Sequence, residues 1–439
     1  MESVRVSPDN VLDSLKKHIL VDGFHIVLDL EKSEGCYMVD ARDGKRYIDF
    51  YAFFASLPLG FNHPKMKEPE FLERLEIASI HKVANSDIYT TYMAEFVETF
   101  AKLGAHPDLP NYFFIDGGAL AVENALKTAF DWKVRKNFAK GYKEEKGHMV
   151  IHFKEAFHGR TGYTMSLTNT DPTKVKYFPK FNWPRITNPK IEFPLNEDNL
   201  KKVIELENRA IDEINSAIKE YGDDIACLII EPIQGEGGDN HFRPEFLKKL
   251  REITEENDIL YIVDEVQTGV GATGKMWCFE HFGFTPDIVS FGKKLQVCGI
   301  MVSDKINEVD SVFKVSSRLN STWGANIVDM VRAQRILEII HEDNLVENAA
   351  KMGNYLFNKL NELKEGSKVK ISNIRGRGLF AAFELESAEA RDNVFNKCFE
   401  NGLAVLKSGE RSIRFRPSLN ITKDVIDEGL NILAEVLKA

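Results

Sequence analysis

ILYIVDEVQTGVGATGKMWCFEHFGFTPDIVSFGKK, residues 259–294, is the stretch on which the fold reading turns. It opens with a short apolar run, 259–263, that reads as a strand buried on both faces. Asp264 stands at its carboxyl end. A second short run, 286–291, closes on Gly292, Lys293 and Lys294. A carboxylate and a lysine thus each lie just past a buried strand. In open α/β sheets, ligands bind at the carboxyl ends of strands. A lysine enclosed there loses hydration, its pKa falls, and it becomes a nucleophile for carbonyls. An aspartate there holds a cationic partner.

One cofactor asks for both groups. Pyridoxal 5'-phosphate needs a lysine for its aldehyde and an acid for its ring nitrogen. Within the same stretch, Gly269 to Lys275 imitates a phosphate-binding P-loop. Met276 stands where Ser or Thr must hold magnesium, so the nucleotide reading is rejected.

The rest of the chain supplies matching elements. Residues 112–116 form a short apolar run, and Gly117-Gly118-Ala119 then opens a helix expected over 120–139. A glycine turn from strand into helix offers free backbone N–H groups to an anion. Strands are expected at 148–153, 224–230 and 299–303; Phe157, His158 and Arg160 follow the first, and the polar EPIQGE (231–236) follows the second. Residues 164–200, with five prolines spread between 172 and 194, read as a long loop, and 201–221 as a helix. His152 and His158 lack a third ligand nearby, so no metal site is expected.

At the N-terminus, residues 1–22 read as an amphipathic helix. Asp43-Gly44 marks a hairpin turn between runs at 36–40 and 45–50. Beyond 342 the pattern changes to short strands at 369–374, 379–385, 403–406 and 412–415 alternating with helices. The expected division is an N-terminal segment, 1–64, belonging to a small α+β domain; a large domain, 65–342; and the remainder of the small domain, 343–439.

With 439 residues, 43% hydrophobic and 28% charged, the composition is that of a globular enzyme. The net charge of −10 argues against nucleic acid as a partner. No apolar run approaches the roughly 20 residues that span a bilayer. The N-terminus shows no signal pattern, and five scattered cysteines read as reduced thiols. A cytoplasmic protein, without membrane contact, is the expectation.

Taken in order, GGALAVENALK, FHGR, EPIQGE, DEVQTG, FGK and STWGAN resemble the class III pyridoxal-phosphate aminotransferases of fold type I. The resemblance spans essentially the whole chain. It implies a large domain with a mostly parallel central sheet and a smaller α+β domain. It implies Lys293 as the Schiff-base lysine, with Lys294 as the alternative, and Asp264 as partner of the ring nitrogen. Gln267 would meet the phenolic oxygen, Phe157 the ring face, and Gly118 and Ala119 the phosphate. Ser321 and Thr322 would reach the phosphate of a neighbouring subunit, which implies a homodimer with shared sites.

The wording of GGALAVENALKTAFDWK, FHGRTGYTMSLTNT and FGKKLQVCGIM is that of the family's lysine-specific members. These imply L-lysine as donor, 2-oxoglutarate as acceptor and L-glutamate as product. Arg414 would grip the α-carboxylate of glutamate, Glu236 would cover that arginine when idle, and Arg160 and Asn320 would hold the carboxylate of lysine. Ornithine or 4-aminobutyrate transfer and an aminomutase are the alternatives. Two departures from the wider family stand out. Gly117-Gly118-Ala119 lacks the usual hydroxyls at the phosphate turn, and residues 294–298 replace a glycine-rich tail.

Overall fold

The computed structural model describes residues 3–438. Its centre is a seven-stranded sheet in the order Asn111–Ile115, Cys298–Val302, Ile288–Phe291, Leu260–Asp264, Ile225–Ile230, Met149–Phe153, Arg185–Ile186. All neighbours run parallel except around Cys298–Val302, which is antiparallel to both of its partners. This is the α/β architecture of fold type I. The sheet divides the core by strand period. Ile229, Leu260, Ile262, Ile288 and Ile300 pack on one face with Val122, Leu126 and Trp132 of the helix Gly118–Ala139. Leu228, Ile230, Tyr261, Val263, Val289 and Met301 pack on the other with Phe246 and Leu250 of Pro244–Glu256. Burial on both faces is what makes these strands read as continuous apolar runs.

Register brings the decisive stretch together. Leu260–Asp264 and Ile288–Phe291 are adjacent and parallel, with Ser290 opposite Asp264. Lys293 therefore emerges beside Asp264 at the same sheet edge.

The C-terminal part carries an antiparallel sheet in the order Ser372–Arg377, Phe380–Glu384, Ser412–Phe415, Leu406–Ser408. The N-terminal hairpin, Tyr37–Val39 with Arg46–Asp49, takes Leu403–Ala404 as a third, parallel strand. The two ends of the chain thus share one small sheet. The helix Leu345–Gly366 meets Gly378 at backbone distance: a Cβ on Gly353 would lie 2.1 Å from the Gly378 carbonyl. Gly353→Ala is expected to destabilise the fold by about 1–3 kcal/mol, as overpacked cores do. A lowered unfolding midpoint in denaturant checks it.

Three expectations need correction. The N-terminal helix spans only Val11–Lys16 after a turn at Pro8–Asn10, and neither buries a residue. Its apolar side chains find no surface to cover, so nothing extends it. Residues 1–2 of that reading lie outside the described residues. The long loop 164–200 contains a helical turn, Thr164–Leu167, and the edge strand Arg185–Ile186, and the next helix starts early, at Glu197. Two residues are too few to show a period, and the Asn196 side chain, accepting from Asn199 N at 2.9 Å, sets the helix start. The strand expected at 369–374 lies at Ser372–Arg377, because Asn373, with φ 47°, opens a bulge that breaks the alternation.

Candidate active site

At the carboxyl ends of the central strands lies a cavity of about 400 Å³. It gathers Gly118, Ala119, Phe157, Arg160, Glu236, Asp264, Gln267, Lys293 and Arg414, from six separate stretches of sequence. Asn320, Ser321 and Thr322 do not line it. They sit on a surface turn, where Asn320 Oδ1 accepts from Ser321 N at 2.7 Å and the Thr322 carbonyl accepts from Ser86 Oγ at 3.3 Å.

Lys293 follows the strand Ile288–Phe291 through Gly292 and takes a positive φ of 46°. A lysine held in the left-handed region is strained, and such strain collects at functional sites. Burial lowers its pKa, with Arg414 adding to the effect and Asp264 opposing it. The neutral, nucleophilic amine is favoured accordingly. Lys294 points elsewhere. Its Nζ donates to the Gln267 carbonyl at 2.7 Å, and the residue is only 3% exposed. The geometry therefore separates the two lysines: one faces the cavity and the other braces the loop beneath it.

Asp264 is held on both oxygens. Oδ1 accepts from Ser290 Oγ and Val266 N, each at 3.1 Å. Oδ2 meets His158 Nδ1 at 2.7 Å. His158 is buried and its Nε2 has no partner among the described residues. In the sequence its place after the strand suggests a side chain lying against a planar ligand; its connection to Asp264 crosses between strands and leaves no local signal. Glu231 is a second group with a role the sequence did not disclose. Its Oε1 accepts from Phe157 N at 2.9 Å and its Oε2 from Gly235 N at 3.0 Å, which fixes the Phe157 turn.

Burial raises the Glu231 pKa from 4.5 to about 7. The folded state therefore binds this proton more tightly than the unfolded chain. Its contribution to stability is present below pH 4.5, declines as pH rises, and is gone above about 7. A Glu231→Gln variant is expected to lose stability less steeply across that window, by up to ~1.36 kcal/mol per pH unit. Denaturant titrations of variant and parent between those pH values check it.

The cofactor fits these residues. The helix Gly118–Ala139 starts at Gly117, φ 97°, and no side chain caps it, so its first N–H groups face the cavity. A Cβ on Gly118 would lie 2.7 Å from Val266 Cγ1, so only glycine lets the helix start approach this closely. Phe157 offers an aromatic face, Asp264 an anchored carboxylate and Lys293 an amine. Phe54 forms a further wall. It rides a turn of four consecutive left-handed residues, Ala52 to Ala55, which no sequence pattern announces.

Charge is distributed unevenly around the cavity. Arg414 is buried, donates through Nη1 to Gln267 Oε1 at 3.2 Å, and its Nε has no partner among the described residues. Arg416, two residues on, donates to the same Gln267 oxygen at 3.1 Å and pairs with Asp239 at 2.7 Å. Arg416 is visible in the sequence as the next same-face position of the strand. Glu236 does not pair with Arg414 here. Lys174 takes it instead, from the turn Pro172–Lys174, and Thr170 Oγ1 donates to the same oxygen at 3.1 Å.

Comparison with known proteins agrees with this geometry. The profile of the aminotransferase class-III family matches residues 20–437. The chain belongs to that family, and it is a pyridoxal-phosphate-dependent aminotransferase. It is 48% identical over 433 residues to the L-lysine-epsilon aminotransferase of Mycobacterium tuberculosis, covering 98% of this chain and 96% of that one. It is 46% identical over 439 residues to the enzyme of the same name from Amycolatopsis lactamdurans, covering 99% and 97%. A solved structure of the lysine aminotransferase from M. tuberculosis superposes with a TM-score of 0.96 over 98% of this chain and 99% of that one, at 48% identity.

Proposed function

We propose that the chain is an L-lysine 6-aminotransferase. It would move the ε-amino group of L-lysine to 2-oxoglutarate in two half-reactions, giving 2-aminoadipate 6-semialdehyde, which cyclises to piperideine-6-carboxylate, and L-glutamate. One observation carries this reading: a single cavity holds Lys293 together with two arginines, Arg414 buried beside it and Arg160 exposed at the mouth. Lysine entering side chain first keeps its α-carboxylate at Arg160, with Asn320 of a neighbouring subunit in support. 2-Oxoglutarate places its α-carboxylate on Arg414 and its second carboxylate toward Arg160. The relatives named for lysine at 46–48% identity support the choice of donor.

Bound pyridoxal phosphate supplies an aldehyde for amines and a ring that accepts an electron pair. The chain's residues do the rest. Lys293 Nζ would take the proton from the carbon bearing the donated amine and deliver it to the cofactor's aldehyde carbon, across the shared nitrogen. Asp264, braced by His158 and Ser290, would keep a positive charge on the ring nitrogen. Gln267 would meet the cofactor's phenolic oxygen and Phe157 its ring face. Glu236 screens Arg414 when the donor is bound, so that the α-carboxylate of lysine stays at the mouth and its α-amine out of reach.

The protein would act as a homodimer, the partner supplying Ser321 and Thr322 to the phosphate. That turn is exposed and off its own cavity, and it neighbours exposed apolar residues: Ile77, Ile80, Ile88, Tyr89 and Trp323. Exposed apolar side chains near such a turn suit burial against a second subunit. A cytoplasmic location is part of this proposal, supported by five free cysteines, four of them buried, as thiols are in a reducing compartment.

The test compares donors. With 2-oxoglutarate fixed, kcat/KM for L-lysine is expected to exceed that for L-ornithine by roughly 10- to 200-fold, the worth of one methylene in a fitted pocket. A higher value for ornithine or 4-aminobutyrate would replace the substrate while keeping the class.

A further inference from the structure

We infer that Lys174 is a specificity-determining residue of this site: it draws Glu236 aside and thereby holds Arg414 open for the α-carboxylate of a dicarboxylate substrate. The inference rests on the reading of the cavity as shared by an amine donor and a dicarboxylate.

Lys174 ends a short turn, Pro172–Lys174, in the connection that passes the cavity mouth. Asp171 fixes that turn, its Oδ1 accepting from Thr173 N at 2.9 Å. The Lys174 side chain reaches inward, with Nζ 5.6 Å from the centre of the Phe157 ring, and its ammonium ends on Glu236 Oε1. Thr170, from the same connection, donates to the same oxygen at 3.1 Å. Two donors from one loop therefore hold one carboxylate.

Across the cavity the complementary charge is unmet. Arg414 is 3% exposed and forms no ion pair among the described residues. Its contact with protein is to the neutral Gln267 oxygen, and its Nε is unpartnered. Arg416 cannot relieve it, being a cation already matched to Asp239. A buried guanidinium without an anion is costly, and an incoming carboxylate removes that cost. Glu236 lines the same cavity as Arg414, and Lys174 holds it. If Arg414 wins, the arginine is covered and the site suits a donor whose carboxylate stays outside. If Lys174 wins, the arginine is open and the site suits 2-oxoglutarate or glutamate. A side chain that favours one of two states shifts the balance by its differential interaction with them. Lys174 is that side chain, and in the resting site it favours the open state.

The experiment follows the L-glutamate half-reaction of the holoenzyme in single turnovers, read from the cofactor's visible absorbance. Lys174→Met is expected to weaken the apparent affinity for glutamate about two- to fivefold, the scale of a partly exposed ion pair. Lys174→Arg is expected to restore it. In a Glu236→Gln background, Lys174→Met is expected to change nothing further, because no anion remains to be held; the double-mutant cycle isolates this coupling. An unchanged affinity in Lys174→Met would overturn the inference. So would a loss of equal size in the Glu236→Gln background, since Lys174 would then contact the substrate carboxylate directly. An unaltered absorbance spectrum of each variant before mixing establishes that the cofactor site is intact. Glutamate serves every donor preference considered above, so failure of L-lysine as donor leaves this test readable, and failure here leaves the donor assignment standing.

Discussion

Lys293→Ala is expected to lower turnover by roughly 10³- to 10⁴-fold, the loss of a positioned proton carrier compounded by the loss of the nucleophile. The protein should still fold and retain the cofactor, because the phosphate cradle, the aromatic wall and Asp264 are untouched. The structure makes the neighbouring residue a control. Lys294 is buried and bound to the Gln267 carbonyl at 2.7 Å, so Lys294→Ala should leave an unpaired buried carbonyl. Its expected effect is on stability, about 1–3 kcal/mol, with a smaller effect on rate. Stopped-flow half-reactions together with denaturant unfolding of both variants distinguish the two roles. Loss of chemistry in Lys294→Ala with retention in Lys293→Ala would reverse the assignment.

Asp264→Asn is the second large effect. The amide preserves shape and can still accept from Ser290, yet it carries no charge to keep a ring nitrogen protonated. Removing one partner of a buried charged pair costs about 3–5 kcal/mol. Expressed as rate, that is roughly 10²- to 10⁴-fold in kcat. The same substitution disturbs His158, whose Nδ1 lies 2.7 Å from Asp264 Oδ2. A kcat fall accompanied by weakened cofactor retention is therefore expected, measured by turnover and by cofactor released on dialysis. A variant with near-parental kcat would show that Asp264 does not govern the electronics of the ring.

The parts of the site that were legible in the sequence share a cause. Asp264 ends and Lys293 follows a strand buried on both faces, the Gly117-Gly118-Ala119 turn follows an edge strand buried at Phe114 and Ile115, and each leaves an apolar run followed by an abrupt polar step. The elements that were not legible depend on contacts distant in sequence. His158 is coupled to Asp264 from another strand, and Glu231 holds the Phe157 turn from a third. The left-handed turn through Phe54 has no glycine to announce it. Lys174 lies in a proline-rich connection without period, and only the folded chain shows that it reaches Glu236. The family resemblance anticipated Glu236 as the cover of Arg414; the structure finds that cover drawn aside by a residue outside every motif.

The measurement that tests the central claim most directly follows the nitrogen. The holoenzyme is incubated with 2-oxoglutarate and L-lysine labelled with ¹⁵N at the ε position, and the glutamate formed is analysed by mass. The account predicts labelled glutamate alongside the cyclised semialdehyde. Glutamate carrying label only when the α-nitrogen of lysine is the labelled one, or no glutamate at all, would contradict it.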